Sequence, residues 1–309
     1  MMRSRCRNPR FHTVAGGLLG VAIGFAAAGC SDKSADSAAH NGSDELKLPV
    51  ADGSADDPAS VSMDNDLMAR IPPPGQRRVI PLEATLKSIF ESIQRGETGR
   101  SRLALTSYMN THPQDGQAVF LNGLTYHREK SYALARKHFD RAIEMAPEYY
   151  ATYYFNGWAA YYLGQLSEAR NLFLANLAFQ PDNGDTHFAL GLIALDLNET
   201  DEARMRFEKA IALHTGQPRR QPELAKARAR LGEMLAMQGE LDRAPEELEA
   251  ATTLNPRAYE AWYQLSRVLT RLGDDEGAAH ALKRHDEEER RFNTPPERPA
   301  GPPKPPNRN

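Results

Sequence analysis

Residues 150–183 read YATYYFNGWAAYYLGQLSEARNLFLANLAFQPDN and contain the pattern that decides the fold. Gly157 lies in a first apolar stretch, and Gly164 separates this stretch from a second one. Phe173 lies in the second apolar stretch, and Pro181 follows its end. A glycine ends a helix by taking a left-handed conformation at little cost, and a proline cannot continue a helix. The stretch therefore predicts a hairpin of a first and a second helix, joined by a tight turn.

The same markers recur at a period of 34 residues. The recurring sets are Asn122-Gly123, Asn156-Gly157 and Leu190-Gly191; Ala135, Ala169 and Ala203; Phe139, Phe173 and Phe207; and Pro113, Pro147 and Pro181. The next proline position holds Thr215, and Pro256 follows 41 residues later, so seven extra residues at 216–222 are interpreted as an insertion. A fixed period of this length indicates stacked hairpins that complete one another's cores.

These markers resemble those of the tetratricopeptide repeat family. The resemblance implies an all-α fold, a solenoid of helical hairpins wound as a right-handed superhelix over residues 81–293. The repeats are expected at about 82–115 (a degenerate one), 116–149, 150–183, 184–217, 225–258 and 259–292. The turn position between the two helices of a repeat holds Gly96, Gly164, Asn198, Gly239 and Gly273. Lys130 departs from this rule, because a lysine adopts the left-handed conformation only at a cost.

Residues 1–29 have the organisation of a secretory signal. Four arginines lie in the first ten residues, residues 13–29 carry no charge, and Cys30 follows directly. The run Ala27-Ala28-Gly29-Cys30 resembles the bacterial lipobox, with alanine where leucine is more usual. The resemblance implies a diacylglycerol on Cys30, removal of residues 1–29 and a membrane anchor. An uncleaved transmembrane anchor stays open as the alternative, although 17 uncharged residues fall short of the roughly 20 that a spanning helix needs.

Ser31, after the cysteine, is similar to the pattern that sorts lipoproteins to the outer membrane. We therefore expect the protein to be lipid-anchored in the cell envelope, on the outer membrane and facing the periplasm. Residues 30–80 are rich in small and polar residues and predict a disordered linker, and residues 294–309 predict a disordered proline-rich tail. The net charge of −3 does not indicate a nucleic-acid partner.

In this family the first helices of the hairpins line a concave groove, and their fifth, ninth, twelfth and thirteenth positions commonly touch peptides. Carried over by position, the predicted groove for a protein or peptide consists of Phe120, His127, Arg128, Tyr154, Trp158, Tyr161, Tyr162, Phe188 and Tyr263. Large aromatic side chains with a polar tip provide contact area at low entropic cost. The alternative is that some of these rings only pack between repeats. The fifth and ninth positions, among them Ala229 and Glu233, do not form the basic clamp with which chaperone-binding members hold a carboxylate.

No pattern typical of catalysis or metal binding accompanies the repeats. The nine histidines lack metal-ligand spacing, and no glycine-rich phosphate loop follows a strand. The prediction is therefore a non-enzymatic scaffold or adaptor without a cofactor, which binds proteins during assembly of an envelope complex, such as outer-membrane protein, pilus, secretin or wall machinery. An enzyme, or a regulatory subunit of an envelope enzyme, with an unrecognised site stays open as the alternative.

Overall fold

The computed structural model describes Leu67, residues 69–71, Pro73 and residues 81–294. Within these residues the chain forms twelve α-helices and one 3-10 turn, and no strand. The helices are α1 (Ala84–Gln94), α2 (Thr98–Thr111), α3 (Gly116–Arg128), α4 (Tyr132–Met145), α5 (Ala151–Tyr162), α6 (Leu166–Phe179), α7 (Gly184–Asp196), α8 (Thr200–His214), α9 (Gln221–Gln238), α10 (Ala244–Leu254), α11 (Tyr259–Leu272) and α12 (Asp275–Asn293). The predicted all-α fold of consecutive helix pairs is confirmed. The predicted signal segment, Cys30, most of the predicted linker and the tail after Thr294 lie outside the described residues.

The described residues divide into two compact units. The N-terminal unit ends at Phe179 and contains α1–α6, and the C-terminal unit begins at Gln180 and contains α7–α12. In both units, the two helices on either side of each tight turn pack against each other. Each unit therefore presents three first helices, which have odd numbers here, and three second helices, which have even numbers.

Each of the four central hairpins closes where a glycine of its first helix meets a large side chain of its second helix. In the pair α5–α6, a Cβ added to Gly157 would lie 2.9 Å from Cε1 of Phe173, which is fully buried. The equivalent pairs are Gly123 with Phe139, Gly191 with Phe207, and Gly232 with Leu248. The sequence predicts that these glycines allow two helices to meet closely, and the structure shows which side chain occupies the space.

The turns between the paired helices share one backbone conformation. Positive φ values occur at Gly96 (85°), Gly164 (77°), Asn198 (60°), Gly239 (84°), Gly273 (78°) and also at Lys130 (60°). Lys130 is neither glycine nor asparagine, but its backbone adopts the same left-handed conformation as the other turns. The packing of α3 on α4 imposes the turn, and the backbone of Lys130 accepts the associated strain.

The closing prolines have a second role besides ending a helix. The Tyr153 hydroxyl donates a hydrogen bond to the carbonyl of Pro147 (2.8 Å), and the Trp262 Nε1–H donates to that of Pro256 (2.9 Å). His187 follows the same rule, with Nε2 3.0 Å from the Pro181 carbonyl. A side chain near the start of each of these first helices thus satisfies a backbone carbonyl of the short connection that follows the preceding helix.

The insertion at 216–222 does not form a loose loop. It contains the 3-10 turn Pro218–Arg220 and the first residues of α9, which begins at Gln221 and so starts earlier than the repeat expected at about 225. Pro222 favours this early start, because a proline in the first turn of a helix lacks only an N–H that would be unpaired there. The Arg220 guanidinium holds the turn to the carboxylate of Asp185, 3.0 Å away.

Replacing Lys130 with glycine is expected to stabilise the protein. A glycine avoids the crowding of Cβ at positive φ, so we expect the free energy of unfolding to rise by about 1 kcal/mol after the extra entropy of the unfolded chain is subtracted. Urea denaturation followed by circular dichroism measures the change. Asn198→Gly is the matched control and should gain less, because asparagine tolerates this conformation. A loss of stability in Lys130→Gly would contradict the interpretation of this turn.

Replacing Gly157 with alanine is expected to destabilise the protein. The added methyl group must displace the Phe173 ring in a packed core, which costs about 1–3 kcal/mol. Gly99→Ala in α2 is the matched control: nothing lies within 4 Å of its added Cβ, and it should stabilise by up to about 1 kcal/mol. If both substitutions shift the urea midpoint equally, the close contact between Gly157 and Phe173 does not contribute to the stability of this hairpin.

Candidate functional site

The predicted groove residues fall into both units, seven of them on α3 and α5 of the N-terminal unit. Trp158 lies at the centre of the α5 group and is 2 % exposed. Its ring centroid lies 6.4 Å from that of Tyr154, 5.6 Å from Tyr161, 5.8 Å from Tyr162 and 5.5 Å from Phe173. Tyr154 is also buried. The rings of Trp158 and Tyr154 are therefore part of the core beneath the surface of α5.

The two aromatic residues predicted on α3 are buried as well. Phe120 is fully buried and contacts the rings of Phe139, Tyr149 and Phe155. His127 is 7 % exposed. Burial, with a smaller contribution from the charge of Arg128, lowers the pKa of His127 to about 4. His127 is therefore neutral near pH 7 and presents no positive charge to a partner.

The other three members of this group reach the surface. Tyr161 and Tyr162 are half-buried, and Tyr162 stacks on Tyr132 with a centroid distance of 4.6 Å. Arg128 is also half-buried, and its Nη2 donates a hydrogen bond to the carbonyl of Gln94 at the C-terminus of α1 (3.1 Å). The accessible part of the predicted aromatic surface is thus smaller than the sequence indicates and is centred on the end of α5.

Two buried polar atoms of this cluster have no hydrogen-bond partner within the described chain. They are the Nε1 of Trp158 and the Nε2 of His127. A buried donor or acceptor without a partner costs on the order of 1–3 kcal/mol. The cluster therefore retains hydrogen-bonding capacity next to the accessible tyrosines.

A second surface lies in the C-terminal unit, where α7, α9 and α11 form a groove with a volume of about 110 Å³. The side chains that line it are Phe188, Ala225, Lys226, Ala229, Arg230, Glu233, Asn255, Ala258, Glu260, Ala261 and Gln264. Four of these side chains are alanines, and the half-buried Phe188 is the only aromatic residue among those that line this groove. Phe188 is thus the one predicted site residue that lines this groove.

A row of paired polar side chains crosses this groove from α9 to α11. Glu233 accepts hydrogen bonds from Arg230 (2.8 Å) and from Gln264 (3.3 Å). Arg267 continues the row, with Nη1 3.5 Å from Oε1 of Gln264. The positional rule used for the aromatic residues also reaches Ala229 and Glu233, at the fifth and ninth positions of their repeat. Neither residue was predicted to belong to the site, because the prediction selected large aromatic side chains.

Tyr263, the last predicted residue, does not line this groove. Its side chain is 40 % exposed, its ring centroid lies 5.3 Å from that of His285, and the Arg267 guanidinium lies 5.9 Å from its ring. Tyr263 is therefore an accessible aromatic residue on α11, next to the groove-lining Gln264.

The described residues contain one group with metal-ligand chemistry, His285, Asp286 and Glu289 on α12. His285 is half-buried with its Nδ1 2.9 Å from the Tyr259 carbonyl, and the two acids are exposed. Clusters of this kind are common on solvated helices, and this one carries no functional assignment. In the part of the chain that the structure describes, none of the helices combines the length and apolar character needed to cross a bilayer.

Comparisons with known proteins agree with the geometry. The sequence profile of the Tetratricopeptide repeat matches residues 94–150, 156–218, 188–253 and 238–290. No curated protein sequence gives a significant match.

The fold is similar to several solved structures. PilF of Pseudomonas aeruginosa is 19 % identical with a TM-score of 0.58, and the match covers 68 % of this chain and 95 % of PilF. A chain of the APC/C hetero-tetramer Cut9–Hcn1 is 16 % identical with a TM-score of 0.54, over 65 % of this chain and 39 % of that one. YrrB, described as a TPR protein with an unusual peptide-binding site, is 21 % identical with a TM-score of 0.48, over 60 % and 93 % of the two chains. Because the repeat profile matches well over half of the sequence, the chain belongs to the tetratricopeptide repeat family.

Proposed function

We propose that this protein is an envelope-anchored scaffold that binds a peptide segment of a partner protein along the first helices of its hairpins. Proteins of the tetratricopeptide repeat family bind other proteins or peptides. The observation that carries the proposal is the groove across α7, α9 and α11, which combines four alanines with a row of polar side chains.

The chemistry of this groove fits an extended peptide. Small side chains such as Ala225 and Ala229 let a peptide backbone approach the helices closely, and Phe188 offers an apolar contact at one end. The row around Glu233 supplies donors and acceptors that fix the orientation of a polar backbone. Arginine and glutamate neutralise each other within the row, so the preferred segment is one without a large net charge.

The aromatic surface of the N-terminal unit is proposed as a second contact region. Tyr161 and Tyr162 provide accessible rings, while Trp158 and His127 support them from below and contribute the unpaired nitrogens described above. Tyrosine and tryptophan are enriched among residues that dominate binding energies at interfaces. The assignment of Phe120, Arg128, Tyr154 and Tyr263 to partner binding stays a prediction.

The proposed location follows from the N-terminal sequence. Cys30 would carry the lipid, and the linker would hold the repeats away from the outer membrane on its periplasmic side. Such an arrangement suits a protein that gathers partners during assembly of an envelope complex. The proposed role requires no catalytic step and no cofactor.

Filling the groove of the C-terminal unit is expected to abolish partner binding. In Ala229→Trp an indole covers the alanines of the groove without entering the core, because Ala229 is half-buried on the groove side of α9. Proteins that co-purify with the wild type from detergent-solubilised envelopes should be reduced at least tenfold. The matched control is Met237→Trp, on the same helix at a side chain that is 73 % exposed and outside the groove.

A photo-activatable phenylalanine analogue at position 229 or 237 adds a direct measurement. We expect cross-links to the co-purifying proteins from position 229 and none from position 237. Retention of all partners by Ala229→Trp, with circular dichroism unchanged, would show that this groove is not the binding site.

Lipidation is expected at Cys30 alone. An alkyne-labelled fatty acid fed to the producing cells should label the wild type and not Cys30→Ala, and intact mass should show that residues 1–29 are absent from the labelled protein. A wild-type chain that keeps Met1 and takes up no label would favour the uncleaved anchor.

A further inference from the structure

A short segment that precedes α1 packs on the second helices of the N-terminal unit. The backbone N–H of Arg70 donates a hydrogen bond to the carbonyl of Leu67 (3.2 Å), which closes one helical turn. Leu67, Arg70 and Ile71 are spaced i, i+3 and i+4, so the turn brings them to one side. Leu67 is half-buried and Ile71 is buried, whereas Ala69 and Arg70 are exposed. Ile71 is only 8 % exposed although it lies outside every hairpin. These three residues are called the docking turn below.

The docking turn lies against α4 and α6. Leu67 and Arg70 line a cavity of about 230 Å³ together with side chains from these two helices. The side chains contributed by the helices are Arg136, Asp140, Ile143, Glu144, Glu168, Asn171 and Leu172. The surface that holds the turn thus belongs to second helices, whereas the residues predicted to bind a partner lie on first helices.

The side chains of the docking turn and those of the cavity on α4 and α6 are chemically complementary. Ile143 and Leu172 give the cavity an apolar part for Leu67, while Asp140, Glu144 and Glu168 give it three carboxylates for the single cation Arg70. Arg136 is the one cationic side chain that α4 and α6 place in this lining, and it already hydrogen-bonds Glu168 and Gln165.

The electrostatic effect of Arg70 extends to α5. Burial raises the pKa of the Tyr153 hydroxyl, and the charge of Arg70 acts in the opposite direction. The charge of Arg70 therefore acts on Tyr153, although the Arg70 residue itself is exposed.

We propose that the docking turn fixes the end of the N-terminal linker to the face formed by α4 and α6. The occupant of this surface is the chain's own segment, because three side chains bury far less area than a stable intermolecular interface requires. The same small contact suffices within one chain, since only eleven residues separate Ile71 from Glu83, the residue before α1, and keep the effective concentration of the turn high.

The contact leaves some polar atoms unsatisfied. The cavity keeps two buried polar atoms, the Nε of Arg136 and the Oδ1 of Asn171, that have no hydrogen-bond partner within the described residues. A fully satisfied interface would leave neither atom unpaired. The cavity beside the docking turn is therefore incompletely hydrogen-bonded, although Ile71 itself is buried.

Docking changes the tether between lipid and repeats. If Cys30 is the anchor, as proposed above, the free linker is residues 31–66 rather than 31–80. The stretch of chain between the lipid and its first attachment to the repeats then falls from 50 to 36 residues. The docking itself does not depend on the lipid, so it can be tested on Cys30→Ala protein as well as on the wild type.

Hydrogen–deuterium exchange of the full chain tests the proposal. We expect the amides of Arg70 and Ile71 to exchange at least tenfold more slowly than in a synthetic peptide of residues 62–76. Ile71→Ser and Arg70→Glu should each bring the exchange to within about twofold of the matching peptide. Ala69→Ser, on the exposed side of the turn, should keep the slow exchange.

Exchanging two charges between the docking turn and α4 distinguishes docking from a turn that is stable without contact to the helices. Adding Glu144→Arg to Arg70→Glu should restore at least part of the protection, because opposite charges then line the cavity again with reversed signs. Wild-type exchange at the peptide rate, equal protection in Ile71→Ser and Ala69→Ser, or no recovery in the exchanged pair would overturn the proposal. If one of these outcomes also occurs in Cys30→Ala protein, the docking proposal fails independently of the lipid anchor.

Discussion

The structure depends on the approach of a phenylalanine ring to a glycine Cα across three of its hairpins, and of Leu248 to Gly232 across a fourth. Phe139 and Phe173 of the N-terminal unit and Phe207 of the C-terminal unit are fully buried against such glycines. Burial of a phenylalanine side chain stabilises a fold by about 1.5–3 kcal/mol, and the missing Cβ lets the backbone of the first helix form one wall of the ring's pocket. The contact fixes the distance between the helices, and the left-handed turns and proline carbonyl bonds then follow from that distance.

Much of this fold is predictable because the constraint is local and repeats at a fixed period. The spacing of Gly157, Gly164, Phe173 and Pro181 specifies a hairpin before any coordinate is known. The geometry at Lys130 was not predictable, since residue preference argues against a left-handed lysine and tertiary packing overrides the preference. The hydrogen bonds to the closing prolines were missed for another reason: they join residues six apart across a helix boundary, where neither helical nor strand periodicity gives a signal.

The candidate site was less predictable than the fold. A positional rule selects residues by their place in a repeat, and it cannot separate a ring that faces solvent from one that faces a neighbouring helix. This matters most on α5, where ten of the twelve residues are buried, so that nearly its whole circumference is core. The same rule selects Phe188, which lines the groove of the C-terminal unit, and it also reaches Ala229, which lines that groove too. An absent side chain gives no signal in a search for large contact residues.

The first and second helices of the repeats thus differ in the roles that their exposed surfaces can take. The family pattern assigns alanine and phenylalanine positions of the second helices to the core, and places no demand on their outward residues. On α4 and α6 those outward positions carry Asp140, Glu144 and Glu168. Two of these carboxylates already have partners within the repeats, because Asp140 accepts a hydrogen bond from Asn156 and Glu168 accepts one from Arg136. Carboxylates grouped on one face repel each other unless a cation lies near them, and Arg70 is a cation that the chain supplies from outside the hairpins. The proposed division of roles rests on this difference: the outward face of the second helices would hold the chain's own segment, and the first helices would be left for a partner.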